Sequence, residues 1–550
     1  MTTTPRLHWW ISLALLPLGG LMAMVFLGPR ESLPVLPRPP DEADVLRVAY
    51  AQKLLPDPHQ RTFPVSAHNH FILCLWEPLV ECDPATGEPR PAAAASWSWS
   101  PDRLALTLQL RADARWSNGD PVTAQDFVRG WRRLLHQRID VAQALFPLKN
   151  AEAFHRQTLQ DPEQVGVRAI DPLTLRLDLA QVRSTLVAEL ADPLLAPLHR
   201  DGAEALAGNA YVNDPGSLVT NGPFCLREAN ATGYRLQASP YYHGRAEVRL
   251  AGVRFIRANT SVAPLLLAAG VVDVVSPTPG GDRPLPTNRP VRKETELVLA
   301  VNSIAFNVTR GPLRDVRVRQ ALALALDRAG PIARFNPGRL TPAWSWVPDM
   351  PGRAGLVLLR ENGDEARRLL AEAGYPAGRG FPILQMPLPL WARSDPYPAD
   401  WTERWYRELG VRTHIIYEPA AVRAKRMTPA GDYDVLYGNL IATVPDAGDL
   451  LSGFLWPAEY SETKWNDKEF ARLMNAANRQ TGADRLRLLE KAERLAMEAV
   501  PAVPMMFEQR QALLAAEVQG WYADPLARQS LKRLRLETTA GMNSNPGPRL

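Results

Sequence analysis

Residues 115–128 read RWSNGDPVTAQDFV, a tight turn that leads directly into a helix. Asn118-Gly119 allows positive φ at the turn, and Pro121 cannot continue a regular strand. Thr123 is a favourable N-cap, so the sequence predicts a helix over Ala124–Leu135. The stretch therefore predicts the junction between an extended segment and a helix.

Extended segments flank this turn on both sides. Leu104–Arg111 alternates apolar and polar residues, as a half-exposed strand does. Leu46–Tyr50 is a short apolar run before a proline-rich turn, which predicts a buried strand. In Leu173–Leu179 the leucines share one face. Val248–Ile256 is a further predicted strand.

Helical signals dominate the second half of the chain. One predicted helix covers Asp315–Arg328, with Asp315 at its N-terminus, and another covers Leu486–Ala499. Two more, Glu365–Ala373 and Asp400–Leu409, each end before a glycine, Gly374 and Gly410. A further helix runs to Met474 and begins with a capping box formed by Asn466 and Glu469. Strands and helices thus alternate throughout, which predicts α/β or α+β layers.

Composition places the chain among globular proteins. Its 550 residues, of which 46% are apolar and 22% charged, predict roughly two to four domains. The 63 basic and 58 acidic residues leave a net charge of +5 that is spread along the chain, so we expect no nucleic-acid partner. No catalytic motif is present, and we expect a protein that is not an enzyme.

The N-terminal segment predicts export. Trp9–Leu27 is uncharged, follows Arg6, and at 19 residues is long enough to cross a hydrocarbon core of about 30 Å. Residues 1–30 are therefore either a cleaved signal peptide or an uncleaved signal anchor, and the absence of an A-x-A site favours the anchor. Either alternative places the rest of the chain outside the cytoplasm.

Two groups of residues suggest further chemistry. Cys74, Cys82 and Cys225 are an odd set without metal-type spacing; we expect small buried residues, with a Cys74–Cys82 disulfide as the alternative. His68-Asn69-His70, taken as a strand, would place two imidazoles on one face near His59 and Asp57. A metal site there is the alternative to ordinary surface or cleft histidines, and we expect no cofactor.

Several segments together resemble the periplasmic oligopeptide-binding protein family, the solute-binding components of bacterial ABC peptide importers. The segments, in family order, are Ala95-Ser96-Trp97, 115–128, Thr220-Asn221-Gly222-Pro223-Phe224, Pro240-Tyr241-Tyr242, Phe306-Asn307-Val308, 312–322, 370–375, Tyr433-Asp434-Val435, Val503-Pro504 and Asp524-Pro525-Leu526. The resemblance runs from about Leu46 to about Leu536. Because many motifs occur in order, it is specific for the fold.

The resemblance implies an α/β, periplasmic-binding-protein-like fold of class II type, with two lobes, three domains and an interlobe cleft, preceded by the N-terminal hydrophobic helix. After a proline-rich linker at 31–43, lobe I would comprise residues 44–76, 190–300 and 508–540. An accessory domain at 77–189 would pack on lobe I, lobe II would comprise 301–507, and 541–550 would be a tail. Closure about a hinge would bury the ligand.

The resemblance also implies how a ligand is held. An extended peptide would add as a strand between the lobes, bound through its main chain. The expected contact residues are Thr62, Phe63, Pro64, Gly438, Asn439, Leu440, Ile441, Ala442 and Thr443. Phe507 and Trp465 are further candidates for the walls of the cleft, with core packing as the alternative for each.

Three positions depart from the family pattern. Family members have an aspartate that pairs with the ligand α-amino group, and this chain has Thr443 at that position. It also has Tyr437 where the family has an arginine, and Leu440 where the family has a tryptophan. Asp446 and Asp449 follow closely and are alternative carboxylates. Because an unpaired ammonium ion is costly to desolvate, the loss of the aspartate argues against recognition of a free amino terminus.

The resemblance therefore implies a monomeric, periplasmic solute-binding protein, tethered to the inner membrane by an uncleaved N-terminal segment or exported with a cleaved signal peptide. It would capture peptides or peptide-like ligands for the permease subunits of an ABC transporter. The alternative is a membrane-anchored sensor whose cleft is degenerate or takes a non-peptide ligand.

Overall fold

The computed structural model describes residues 33–537, apart from 52, 61–64, 84–85, 138–139, 208, 277–284, 286, 351–352, 428–430, 456–460 and 527. The predicted N-terminal segment, linker residues 31–32 and the 541–550 tail lie outside the described residues. Across the described residues, no helix combines the length and the apolar character that a membrane span requires.

Strands form in both halves of the described chain. They are β1 Val45–Tyr50, β2 Val80–Cys82, β3 Pro89–Pro91, β4 Ala94–Trp99, β5 Ala105–Leu110, β6 Val167–Asp171, β7 Thr174–Asp178, β8 Phe224–Asn230, β9 Gly233–Ala238, β10 Gly252–Arg257, β11 Val274–Val275, β12 Val291–Phe306, β13 Leu340–Pro342, β14 Leu384–Pro389, β15 Thr413–Glu418, β16 Val435–Ile441, β17 Ala502–Ala515, β18 Val518–Gln519 and β19 Arg535–Leu536.

Helices are more frequent after residue 300, as the sequence predicts. The α-helices are Val65–Leu75, Ala124–His136, Ala151–His155, Leu186–Glu189, Gly202–Ala207, Ala263–Ala268, Val316–Leu324, Ala329–Phe335, Gly363–Glu372, Tyr397–Leu409, Ala420–Met427, Ala447–Ser452, Lys468–Ala477 and Gly482–Ala499. Short 3-10 segments join many of these elements.

The turn and helix at 115–136 are confirmed. Gly119 has φ of 93°, and Thr123 and Asp126 form a capping box at the start of the helix Ala124–His136. The capping box satisfies two backbone N–H groups that the first turn leaves unpaired. This helix packs against β6 of the four-stranded sheet β4-β5-β7-β6, within the predicted accessory domain.

Local signals also located other helix ends correctly. Asp315 caps the helix that starts at Val316, where its carboxylate accepts the Arg317 N–H. Gly410 ends the helix Tyr397–Leu409 with φ of 70°, a left-handed conformation that glycine adopts at low cost.

Two local predictions were wrong. The N-cap before the helix Lys468–Ala477 is Asp467 and not Asn466: the Asp467 carboxylate accepts the Phe470 N–H at 2.8 Å. Residues 68–70 belong to the helix Val65–Leu75 and not to a strand. Side chains two positions apart on a helix point about 200° apart, so the two imidazoles do not share a face.

The buried apolar residues form two separate cores. One contains residues between Leu46 and Val275 together with residues between Ala512 and Leu534. The other contains residues between Leu299 and Phe507, joined by Leu526. We call these bodies lobe I and lobe II. The accessory sheet contributes to the lobe I core through Leu106 and Leu177.

Two long strands run through both lobes. The large sheet has the order β16-β12-β17-β11-β1-β10-β9-β8, with β13 also paired to β17. The first part of β12 pairs with the last part of β17 beside lobe I, and the second part of β12 pairs with β16 and β17 in lobe II. Register shifts in the β12–β17 pairing fall between these parts, after Leu297 and Asn302. The resemblance implies a hinge of crossing segments, and β12 and β17 are the candidates for it.

Candidate functional site

Among the described residues, β16 pairs with one strand only, β12, so its other side is an unpaired edge. In an antiparallel pair, alternate residues turn their N–H and C=O groups toward the partner. The N–H of Ala442, just after β16, donates to the Leu299 carbonyl of the β12 side at 2.7 Å, so even-numbered residues face β12. The backbone groups of Tyr437, Asn439, Ile441 and Thr443 therefore point away from β12, and we call this side the free edge.

The central part of the free edge is accessible to solvent. Asn439 and Ile441 are both exposed, and no described residue forms a backbone hydrogen bond to them on this side. At the start of the edge, the Arg423 guanidinium donates to the Tyr437 carbonyl at 3.4 Å. At its end, the Arg528 guanidinium of lobe I donates to the Thr443 carbonyl. About two residues of edge thus remain available between two arginines.

Arg528 is a buried cation where the two lobes meet. Its Nη2 also pairs with Asp192 at 2.8 Å, and both side chains are almost fully buried. Burial disfavours the charged guanidinium, but the charge of Asp192 and its hydrogen bond to Arg528 outweigh this effect and raise the pKa of Arg528. Arg528 therefore remains charged, and it holds the end of the free edge against lobe I.

The two alternative carboxylates near Thr443 have different roles. Asp446 caps the helix Ala447–Ser452 and pairs with Arg485 at 2.6 Å, so its charge is neutralised within lobe II. Asp449 instead reaches back to Thr443 and accepts the hydroxyl at 3.0 Å, together with the backbone N–H groups of Thr443 and Val444. All these bonds use Oδ2. The Thr443 side chain lacks a carboxylate, but Asp449 places one at the same point of the edge.

Of the expected contact and cleft-wall residues outside 438–443, the structure describes Phe507 and Trp465. Thr62, Phe63 and Pro64 are outside the described residues. Phe507 is in β17, paired with Val301 and Thr341, and packs in the lobe II core.

Trp465 packs against Phe454 and Phe470 in the lobe II core, so its surroundings match the core-packing alternative. Gly438, Leu440 and Ala442 form the ladder with β12, whereas Asn439, Ile441 and Thr443 border the free edge.

A hollow of about 390 Å³ adjoins the free edge on the face of Tyr437. Its wall contains side chains that, apart from Tyr437, no sequence motif marked. They include Trp391, Asp395, Tyr397, Tyr437, Glu508 and Arg339. Only Tyr437 carried a signal, because it occupies a motif position; the others come from segments that are distant in sequence.

A further carboxylate missed by the sequence lies near Gly438. A Cβ at Gly438 would be 3.6 Å from one Glu462 carboxylate oxygen. Burial raises the pKa of Glu462, and the Arg423 charge opposes this shift. Because Gly438 has no side chain, there is room beside the strand for the Glu462 carboxylate.

The three histidines do not form a metal site. Within the described residues, no group of three or more histidine, cysteine or acidic side chains is arranged to hold a metal ion. His70 is buried against the Trp521 ring at a centroid distance of 5.6 Å, and burial with the Arg510 charge lowers its pKa to about 3. His59 contacts the Arg133 guanidinium at 2.8 Å, and burial lowers its pKa to about 4.

The cysteines are unpaired thiols. Cys74 and Cys225 are buried and Cys82 is half-buried, and none is bonded to another. The Cys74–Cys82 disulfide is therefore absent. Burial raises the pKa of all three thiols, which makes them poor nucleophiles.

Comparison with known proteins places this geometry in context. Residues 88–462 match the model of the bacterial extracellular solute-binding proteins, family 5. The periplasmic oligopeptide-binding protein OppA of Escherichia coli is 26% identical over 475 residues, covering 82% of this chain and 85% of that protein. The probable deoxycholate-binding periplasmic protein YgiS of Escherichia coli is 28% identical over 478 residues, covering 82% and 86%.

Solved structures agree on the fold. The unliganded open form of the periplasmic murein tripeptide-binding protein MppA superposes with a TM-score of 0.74 at 24% identity, covering 92% of this chain and 99% of that one. Haemophilus influenzae OppA in complex with the peptide RPPGFSPFR gives a TM-score of 0.69 at 24% identity, covering 90% and 99%. The α/β, two-lobed architecture expected from the sequence is confirmed.

Proposed function

This chain belongs to the bacterial extracellular solute-binding proteins of family 5, and from that premise we propose that it captures short peptides or peptide-like ligands for an ABC-type importer. The observation that supports this most directly is the free edge of β16. Exposed strand edges offer N–H and C=O groups to any extended chain, whatever its side chains. A ligand strand along Asn439 and Ile441 would be held independently of its sequence.

The ends of the free edge suggest how a peptide is oriented. Asp449 is a carboxylate at the Thr443 end, with one oxygen that accepts no bond from a described residue. Arg423 is a cation at the Tyr437 end. A ligand ammonium placed at Asp449 and a ligand carboxylate placed toward Arg423 would each meet an opposite charge, which offsets their desolvation. On this proposal, Asp449 supplies the carboxylate that Thr443 lacks.

The setting of the protein is part of the same proposal. Two of the matched relatives, OppA and YgiS of Escherichia coli, are named as periplasmic proteins, and the Trp9–Leu27 segment would direct export. We propose a periplasmic monomer, tethered by an uncleaved N-terminal segment or released by cleavage, that delivers its ligand to permease subunits. Its role is binding, without catalysis.

A non-peptide ligand is the second candidate. The matched relatives include the probable deoxycholate-binding YgiS and heme-binding protein A of Haemophilus influenzae. The exposed apolar side chains of Trp391 and Ile441 near the free edge would also suit an apolar ligand. The peptide proposal is favoured because it uses the unpaired backbone groups of Asn439 and Ile441, which a steroid or porphyrin would leave unsatisfied.

A thermal-shift screen of the full chain tests the proposal. The probes are free-terminus peptides of two to five residues, the same peptides with acetylated amino termini, deoxycholate and haem. A peptide at a hundredfold excess over its dissociation constant should stabilise the fold by about 2.7 kcal/mol. Free-terminus peptides should stabilise the protein more than acetylated ones, because only the former pair with Asp449.

Other outcomes of the screen have definite meanings. Stabilisation by deoxycholate or haem alone would favour the non-peptide candidate. Stronger stabilisation by acetylated peptides would keep the peptide proposal but remove Asp449 from it. No stabilisation by any probe would contradict ligand capture and favour the membrane-anchored sensor with a degenerate cleft.

A further inference from the structure

The hollow beside the free edge is large enough to hold part of a ligand. Its volume of about 390 Å³ exceeds that of any one amino-acid side chain, and it lies next to the edge through Tyr437, which belongs to both. Tyr437, Asn439 and Ile441 turn their side chains to the same face of the sheet. A ligand strand on the free edge would therefore pass the mouth of this hollow.

Three aromatic side chains, Trp391, Tyr397 and Tyr437, line the hollow, and other rings pack against Tyr397 and Tyr437. Tyr437 packs edge-on against Trp401 at a centroid distance of 5.2 Å. Tyr397 packs against Trp401 at 5.7 Å and against Phe335 at 5.6 Å. Trp391 is 71% exposed and borders the same hollow, and no ring of a described residue packs against it. These faces attract apolar stems and also cations.

Two carboxylates in the wall have no cationic partner among the described residues. Asp395 accepts the Tyr397 N–H at 3.0 Å, and Glu508 accepts the Asn302 side-chain amide at 3.0 Å. Burial raises the pKa of Asp395, although the Tyr397 N–H and the Tyr437 hydroxyl favour its charged form. The carboxylate is thus desolvated without a compensating cation, which leaves it favourable to pair with one.

Arg339 is the one cation in the wall, and it also forms no ion pair with a described side chain. Two carboxylates and one guanidinium give the wall a formal net charge of −1. Arg339 therefore does not cancel the preference for a cation. It offers instead a place for an anionic group of the same ligand, such as a terminal carboxylate.

We infer that this hollow is a specificity pocket for a cationic side chain on an alkyl stem, an ammonium or a guanidinium, carried by the bound peptide. The stem would lie between Tyr397, Tyr437 and Trp391, and the charge would meet Asp395 and Glu508. The inference rests on the proposed function, because the free edge is what brings the ligand to the pocket. The pocket would select among ligand side chains, whereas the main-chain contact at the free edge does not depend on the ligand sequence.

Isothermal titration of the full chain with matched peptides tests this inference. The probes are free-terminus tripeptides and pentapeptides of alanine with lysine, norleucine or glutamate at each position in turn. Norleucine keeps the alkyl stem and lacks the charge. At one position, lysine should bind at least tenfold more tightly than norleucine. In the double variant Asp395→Asn/Glu508→Gln that ratio should fall to within twofold.

A matched control separates the pocket from general electrostatics. Glu403→Gln removes an exposed carboxylate of the same lobe and should leave the lysine-to-norleucine ratio unchanged. Thermal unfolding of each variant checks that the fold is intact, since asparagine and glutamine can still accept the Tyr397 and Asn302 bonds.

The remaining outcomes overturn the inference in distinguishable ways. Equal affinities for lysine and norleucine at every position, with peptides still bound, would remove the cation pocket and leave the proposed function. Tightest binding of glutamate would assign the pocket to Arg339. No binding by any peptide would overturn the proposed function and this inference with it.

Discussion

Single buried residues hold lobe I together through charge. Asp273 is fully buried and pairs with Arg38, Arg47 and Arg289 at distances of 2.6, 2.8 and 3.0 Å. Burial opposes its ionisation, but the hydrogen bonds and charge of Arg47 and the charge of Arg38 outweigh burial and lower the pKa of Asp273. One carboxylate thus pairs with guanidinium groups from three separate segments.

Replacing this carboxylate should destabilise the fold strongly. Asp273→Asn leaves Arg47 buried without its counter-ion and Arg289 with only the more distant Glu517, at 3.7 Å. The free energy of unfolding in urea should therefore fall by about 3–5 kcal/mol. Asp364→Asn is the control; the Asp364 side chain is 96% exposed, and its loss should change stability by less than about 0.5 kcal/mol. A loss below about 1 kcal/mol for Asp273→Asn would contradict the assigned role.

His70 predicts a particular dependence of stability on pH. Its pKa is lowered to about 3 in the fold, whereas an unfolded histidine has a pKa of about 6.5. The contribution of the neutral His70 side chain to the free energy of unfolding is therefore fully present above about pH 6.5. As the pH falls toward 3, the unfolded chain binds a proton that the folded chain does not, and stability is lost.

The variant His70→Phe isolates this effect. The unfolding free energy of the wild type should fall relative to that of the variant by up to about 1.4 kcal/mol per pH unit between pH 6 and pH 4. Urea titrations at several pH values measure the difference. The exposed His414→Phe should follow the wild type. Parallel curves for wild type and His70→Phe would refute the buried neutral imidazole.

Among the elements, β16 combines a structural side with a binding side. The Leu440 N–H faces β12 and belongs to the ladder, whereas the Asn439 N–H faces the free edge. Proline removes an N–H and is tolerated in a strand only where that group is not used by the sheet. The two neighbouring positions should therefore respond very differently to proline.

Asn439→Pro should weaken peptide binding by at least tenfold while keeping most of the thermal stability, because it removes an edge donor and leaves the ladder intact. Leu440→Pro should lower the melting temperature markedly, since it breaks a bond to β12. Titration calorimetry and thermal unfolding measure the two effects. Unchanged peptide affinity in a folded Asn439→Pro protein would argue against main-chain binding at this edge.

At the scale of the whole molecule, two cores are joined mainly by β12 and β17. The register shifts after Leu297 and Asn302 lie where these strands pass from one lobe to the other. Such irregularities absorb bending that a regular ladder resists. Because the free edge faces lobe I at its Thr443 end, we expect the lobes to rotate together on a bound peptide.

Small-angle X-ray scattering measures this closure. A saturating stabilising peptide should reduce the radius of gyration of the wild-type chain. The same concentration should leave Asn439→Pro unchanged, which controls for non-specific compaction. An unchanged radius with a peptide that demonstrably binds would contradict hinge closure and favour a rigid, sensor-like cleft.

Much of the architecture could be predicted from the sequence because it depends on neighbours along the chain. The turn at Asn118-Gly119, the Thr123 cap and the Gly410 helix end each involve residues within one turn of each other. Their hydrogen bonds form wherever that local sequence occurs. The ordered series of such motifs identified the family, and the family implied the two lobes.

Predictions from local sequence were wrong where the same residues were compatible with more than one local structure. Asn466 and Asp467 are adjacent, and both are favourable N-caps, so the choice of Asp467 depends on how the following helix packs. His68-Asn69-His70 is compatible with a strand or a helix, and burial of Phe71 and Leu75 in the lobe I core selects the helix.

The details of the candidate site were decided by tertiary structure alone. Asp449 reaches Thr443 because the chain folds back through the helix Ala447–Ser452, and Arg528 reaches the same residue from lobe I. The pocket gathers Glu508, Asp395 and Tyr437 from three segments. The sequence by itself determined which backbone shapes form; charge pairing and the free edge required distant segments to meet, because electrostatic and packing energies depend on distance in space.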